Sequence, residues 1–186
     1  DTNRTSKNYN LQTEDHFNFI EHGTIPAAGS LYNINDTFVG SCVLVTPSVA
    51  LTAGHCITMG KLKYARFGNE EIMIDLQCLH KNHDLGDDLG LLILKTESTH
   101  QPMSMVDDVS SIPKMYPIHT VAHGSGKKKM SKDKVYHYYG ILNNKLNEII
   151  FLPLQTSVWF GDSGGALVYK NKEGTLVLIG IITHFS

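Results

Sequence analysis

The sequence predicts an all-β domain of the sandwich or barrel class. Short β-branched and aliphatic runs recur from about Phe38 to the end of the chain, each closed by Gly, Asn, Pro or Lys turn residues. No stretch carries the sustained 3.6-residue apolar period of a long amphipathic helix. No self-similarity at the 20–50-residue scale points to a repeat architecture. A length of 186 residues suits one domain with a sizeable core.

Taken in order, residues 1–18 are polar and are expected to form an exposed extension or pro-segment ahead of the domain. Predicted strands follow in FVGSCVLVTP (38–47), VALTAG (49–54), EIMIDLQCL (71–79), LGLLILKT (89–96) and HTVAHG (119–124). KVYHYYGIL (134–142), NEIIFLPL (147–154), GALVYK (165–170) and TLVLIGIIT (175–183) complete the set. His55-Cys56-Ile57-Thr58 reads as a short helical turn. SGKKKMSKDK (125–134) reads as a solvated lysine-rich loop, open to nicking or to use as an exosite.

Composition narrows the function classes. A net charge of −2 gives no electrostatic footprint for nucleic acid or an anionic membrane as the main partner. No apolar run approaches the roughly 18 residues of a membrane span. The chain begins at Asp1 without a signal-like segment, which reads as a mature or trimmed product, expected outside the cell or in a periplasm. Of the three cysteines, Cys42 and Cys56 flank a strand-turn-strand stretch and are expected to form a disulfide between neighbouring strands. Cys78 is then left to a partner outside the chain or to a buried free thiol.

Three stretches carry chemistry. In Leu51-Thr52-Ala53-Gly54-His55-Cys56, a histidine follows a strand beside a cysteine. In Asp87-Asp88-Leu89-Gly90-Leu91-Leu92, an acid leads directly into a buried strand. In Gly161-Asp162-Ser163-Gly164-Gly165, a serine stands between glycines that allow close backbone approach and unusual dihedrals. A further group, His80, His83, Asp84 and Asp87, has ligand types that suit zinc.

TAGHC (52–56), DLGLLIL (88–94) and GDSGG (161–165), in that order, closely resemble the chymotrypsin/trypsin family of serine proteases, with weaker likeness from Phe38 to Ser186. The resemblance implies two six-stranded antiparallel β-barrels, the first about 19–105 and the second about 115–186 and incomplete at its end. It implies a serine endopeptidase with Ser163 as nucleophile, His55 as general base and Asp88 orienting the imidazole, and an oxyanion hole of the Gly161 and Ser163 N–H groups. No cofactor is implied, and no metal, because the family has a surface loop at 80–87. Implied partners are a protein or peptide substrate and a protease inhibitor, and the implied state is a monomer.

The chain also departs from the family's pattern. Asp162 is in place to pair with a newly freed amino end, yet the chain starts at Asp1; either cleavage before Ile20 supplies such an end and this chain is a zymogen, or its oxyanion hole is ordered by another route. Ser157 stands where the pocket floor is expected, which gives no support for a preference for Arg or Lys. Trp159 replaces a cysteine that usually braces the pocket. Phe160, Thr183, His184 and Phe185 are expected to shape the pocket, with Phe185 narrowing it and His184 available to read an acidic side chain. The chain stops at Ser186, where the family continues. An inactive, protease-like binding protein and an esterase on the same triad are the competing readings.

Overall fold

The computed structural model describes residues 17–21, 23–83, 88–108, 112, 117–123, 132–143, 148–153 and 163–183. Among the described residues, thirteen strands and one short helix run in the order β1 (Phe17–Glu21), β2 (Ala28–Asn33), β3 (Phe38–Thr46), β4 (Val49–Ala53), α1 (Gly54–Thr58), β5 (Leu62–Phe67), β6 (Glu70–Leu79) and β7 (Leu89–Leu94). They continue as β8 (Ser104–Met105), β9 (Pro117–Ala122), β10 (Lys132–Asn143), β11 (Glu148–Pro153), β12 (Ala166–Lys170) and β13 (Leu176–Ile181). The chain is therefore all-β.

Six strands close into a barrel in the order β2-β3-β4-β7-β6-β5, all paired antiparallel. The period of two expected of strands that face a core on one side is plain in β7, where Gly90, Leu92 and Leu94 are buried and Leu89, Leu91 and Ile93 are not fully so. Leu31, Leu44, Ala65, Phe67 and Leu92 fill the interior, as a barrel of this size requires.

The other strands form a seven-stranded sheet, β1-β10-β9-β12-β13-β8, with β11 paired to β10. Its strands do not follow the expected limits of residues 19 and 105. β1 pairs with β10, and β8 pairs with β13 in parallel, so both belong to the second sheet rather than to the first barrel. The lysine-rich stretch also ends differently from a loop, since Lys132, Asp133 and Lys134 are the first residues of β10. One apolar core links the two units: Val121, Ala166, Val168 and Leu178 join the same cluster as Val43, Leu44 and Leu92.

Candidate active site

Strand pairing brings the histidine and the acid together. β4 and β7 are antiparallel neighbours with Ala53 opposite Leu89. The residues just after β4 and just before β7 therefore meet at one end of the barrel. The Gly54 N–H donates to the Asp88 carbonyl at 3.0 Å, which extends the ladder by one bond. α1 then turns His55 back over Asp88. The Asp88 carboxylate is engaged at both oxygens: Oδ2 lies 2.6 Å from His55 Nδ1, and Oδ1 accepts the His55 backbone N–H at 2.8 Å. The His55 side chain is 37% exposed and that of Asp88 19%. An anionic carboxylate can only accept, so Nδ1 carries the proton, and in the neutral imidazole Nε2 keeps its lone pair. A fixed imidazole with a free Nε2 is the form of a general base.

Ser163 opens the turn into β12. Its carbonyl accepts the Ser41 N–H at 2.9 Å and lies 3.7 Å from the Sγ of Cys56, the residue after His55. The turn is stitched on its other side by the Gly164 N–H to the Ile182 carbonyl (2.7 Å) and by the Ile182 N–H to the Gly165 carbonyl (2.9 Å). Gly164 has φ +87°, and a Cβ there would lie 2.0 Å from the Ser41 carbonyl oxygen and 2.3 Å from Thr52 Oγ1. Only glycine fits this position, both for its dihedral and for the backbone packed against it. Thr52, fully buried, holds Ser41 from the other side through Oγ1 to its carbonyl at 2.8 Å. Nucleophile turn, histidine helix and β3 are thus tied together through backbone and buried side chains.

The expected disulfide is absent: Cys42 and Cys56 are both buried free thiols. The strand register explains why. Cys42 lies opposite Gly29, and a Cβ on Gly29 would come 2.8 Å from Cys42 Sγ. The residue facing Cys56 is Gly40, where a Cβ would lie 2.8 Å from Cys56 Sγ and 3.9 Å from Cys56 Cβ. Gly40 and Cys42 share a face of β3 but stand about 7 Å apart along it. The disulfide position is therefore occupied by a residue with no sulfur. Burial is the main reason the Cys56 thiol is pushed up to about 11, with the Asp88 charge adding to it against hydrogen bonds from Thr52 and Ala53. Burial likewise pushes the Cys42 thiol far up, helped by Cys56. Cys78 is also free and, contrary to the buried alternative, exposed on β6.

Thr183 follows Ile182 and so sits beside the serine turn, partly buried. Ile20 lies inside β1, opposite Asp133 of β10. Ser157, Trp159, Phe160, Gly161, Asp162, His184 and Phe185 lie outside the described residues. Among the described residues, no three His, Cys, Asp or Glu side chains gather in a way that could hold a metal. Sequence reasoning did not single out Gly40, Ser41 or Thr52 as supports of the site, nor His83 as a neighbour of Asp88. Gly40 and Ser41 carry no motif beyond a strand pattern, Thr52 reads only as the first residue of TAGHC, and His83 reads from sequence only as a candidate metal ligand in a polar loop.

A family model described as a trypsin-like peptidase domain matches residues 40–181, the span that holds most of β3, both members of the His55–Asp88 pair and Ser163. No curated protein matches the sequence. With the matched span covering most of the chain and the closed barrel and second sheet in place, the chain belongs to the trypsin-like peptidase family.

Proposed function

We propose that the chain is a serine endopeptidase that cleaves peptide bonds through an acyl-enzyme. The observation that carries this reading is the two-point grip of Asp88 on His55, through Nδ1 at 2.6 Å and the backbone N–H at 2.8 Å, beside a serine turn bound to the same structural hub. Ser163 Oγ attacks the scissile carbonyl while His55 Nε2 takes its proton. His55 then delivers that proton to the leaving amine, and water repeats the sequence to release the acid. Asp88 keeps the imidazole in the useful tautomer and stabilises the imidazolium. The N–H groups of Gly161 and Ser163 receive the developing oxyanion, where loss of one donor typically costs about 100- to 1,000-fold in rate. Ser157, Phe160, Thr183, His184 and Phe185 remain the proposed walls of the specificity pocket. An extracellular or periplasmic setting is part of the same proposal.

A precursor activated by cleavage before Ile20 is the second reading. The register of β1 on β10 weighs against it, because Ile20 is inside a paired strand and a new amino end there must first break that pairing. Labelling with a fluorophosphonate probe, on wild type and Ser163→Ala, before and after limited proteolysis, separates the readings. Labelling of the intact chain that is lost in Ser163→Ala is expected. Labelling only after cleavage near Ile20 supports the precursor, and none in either state supports an inactive binding protein. Turnover of simple esters without peptides would point to an esterase.

A further inference from the structure

Asp88 has a second imidazole beside it. His83 Nδ1 lies 3.6 Å from Asp88 Oδ1, the oxygen that already accepts the His55 N–H, while His55 Nδ1 takes Oδ2. His83 Nδ1 is shielded from solvent and makes no hydrogen bond among the described residues, although its side chain as a whole is 25% exposed. A buried ring nitrogen without a partner is costly, and a carboxylate oxygen just beyond bonding distance is the acceptor nearest to hand. The approach is built into the chain. The turn at 80–83 is fixed by the His80 N–H to the Leu89 carbonyl (2.9 Å), the Asn82 N–H to His80 Nδ1 (3.0 Å) and the His83 N–H to the His80 carbonyl (3.0 Å). Gly54 leaves the space: a Cβ there would lie 2.7 Å from His83 Nδ1 and 2.8 Å from Asp88 Oδ1, between the two.

We infer that His83 is a positioning residue of the reaction, a second imidazole on the Asp88 carboxylate that holds Oδ1 as His55 holds Oδ2 and draws on the carboxylate's charge when protonated. This rests on the endopeptidase reading. Hydrogen bonds of catalytic groups are often long before substrate binds, so 3.6 Å is a distance from which the contact can close. Titratable groups carried by the elements beside the pair include His55 and Cys56 on α1 and His80 and Lys81 on the turn at 80–83. Cys56 stays neutral in the working range, since its thiol is raised to about 11.

Protonated His83 shares the carboxylate that favours the imidazolium at His55, and it sets a like charge nearby. Both oppose protonation of His55.

The test is the pH dependence of kcat/KM for wild type, His83→Gln and Gly54→Ala, with a histidine NMR titration of the Ser163→Ala protein with and without Asp88→Asn. In His83→Gln the acid limb is expected to move up, with kcat reduced several-fold and KM unchanged. Gly54→Ala, which wedges a methyl between the groups, is expected to move the limb the same way. In the NMR titration Asp88→Asn is expected to lower the midpoint of His83. Superimposable acid limbs in wild type and His83→Gln, or a His83 midpoint indifferent to Asp88→Asn, would overturn the inference. The NMR arm needs no peptidase activity, so absence of fluorophosphonate labelling sinks the endopeptidase reading without deciding the role of His83.

Discussion

Gly164 is the position where one atom decides the site. Its φ of +87° costs an L-residue about 1–2 kcal/mol by itself. The methyl of Gly164→Ala also lands 2.0 Å from the Ser41 carbonyl oxygen, a backbone atom held by Thr52, so the overlap is not relieved by a rotamer change. The turn has to move, and Ser163 moves with it. A displacement near 1 Å at a reacting group typically costs on the order of 100-fold. Gly164→Ala is therefore expected to lose at least that factor in the rate of fluorophosphonate labelling, along with thermal stability. Labelling at the wild-type rate would mean that Ser163 is not positioned by this turn. Cys42, two residues along β3 from Gly40, carries a related lesson. From the chain alone it is the natural partner for Cys56, because both flank one strand pair. Which of two residues on one face meets Cys56 is set by register, and register is a property of the folded barrel.

Elements differ in how far the chain announces them. β3, β4, β6, β7, β12 and β13 are rich in Val, Ile and Leu and end at clear turn residues, so their local preference agrees with their place in the fold. β2 contains Gly29, Ser30 and Asn33, and β5 carries Lys63 and Arg66 among its apolar positions; each is a strand because two neighbours in the closed barrel pair with it. β1 and β8 depend in the same way on β10 and β13. Closure is a long-range event, and no window of sequence records it. The candidate site was more legible, since His55, Asp88 and Ser163 each sit in a motif, and the β4–β7 pairing supplies the contact between the first two. His83 was not, because its meaning comes from a turn that brings it back to Asp88.

Glu70 belongs to this scale, as the first residue of β6. Its carboxylate accepts the Ser98 hydroxyl at Oε1, and the Thr99 N–H (3.1 Å) and hydroxyl (2.9 Å) at Oε2, pinning the segment after β7 to the β5–β6 hairpin. Burial raises the Glu70 carboxyl, but these bonds and the nearby His100 outweigh it and hold the group below its ordinary 4.5. The fold thus binds the proton less tightly than the unfolded chain does. The contribution is complete above about pH 4.5 and is lost as pH falls through the folded value. Glu70→Gln is expected to lower Tm at neutral pH by only about 2–4 °C, since the site is largely solvated. Its Tm should also fall less steeply than that of wild type below pH 4.5. Parallel Tm–pH curves for the two proteins would show that Glu70 does not carry this acid sensitivity.

At the scale of the whole molecule, the two units meet through a shared apolar cluster and a small set of buried polar bonds centred on Ser41. Its N–H reaches the Ser163 carbonyl, its carbonyl accepts from Thr52, and its Oγ accepts the His123 N–H at 3.1 Å. His123 Nε2 in turn lies 3.4 Å from the Ala28 carbonyl, so β2, β3, the end of β9 and the serine turn share one junction. Ser41→Ala keeps both backbone bonds and removes the acceptor that Oγ offers to the buried His123 N–H. Such a loss typically costs about 1–3 kcal/mol, and each kcal/mol is worth about 2–4 °C in Tm for a chain of this size. Because the core is continuous from Val43 and Leu44 to Val121 and Val168, the barrel and the second sheet should unfold together. Ser41→Ala is therefore expected to shift a single calorimetric transition downward without splitting it. Two separated transitions, with only the second sheet affected, would mean that the units are thermodynamically independent. In that case the serine turn would be held against the His55–Asp88 pair by these polar bonds alone.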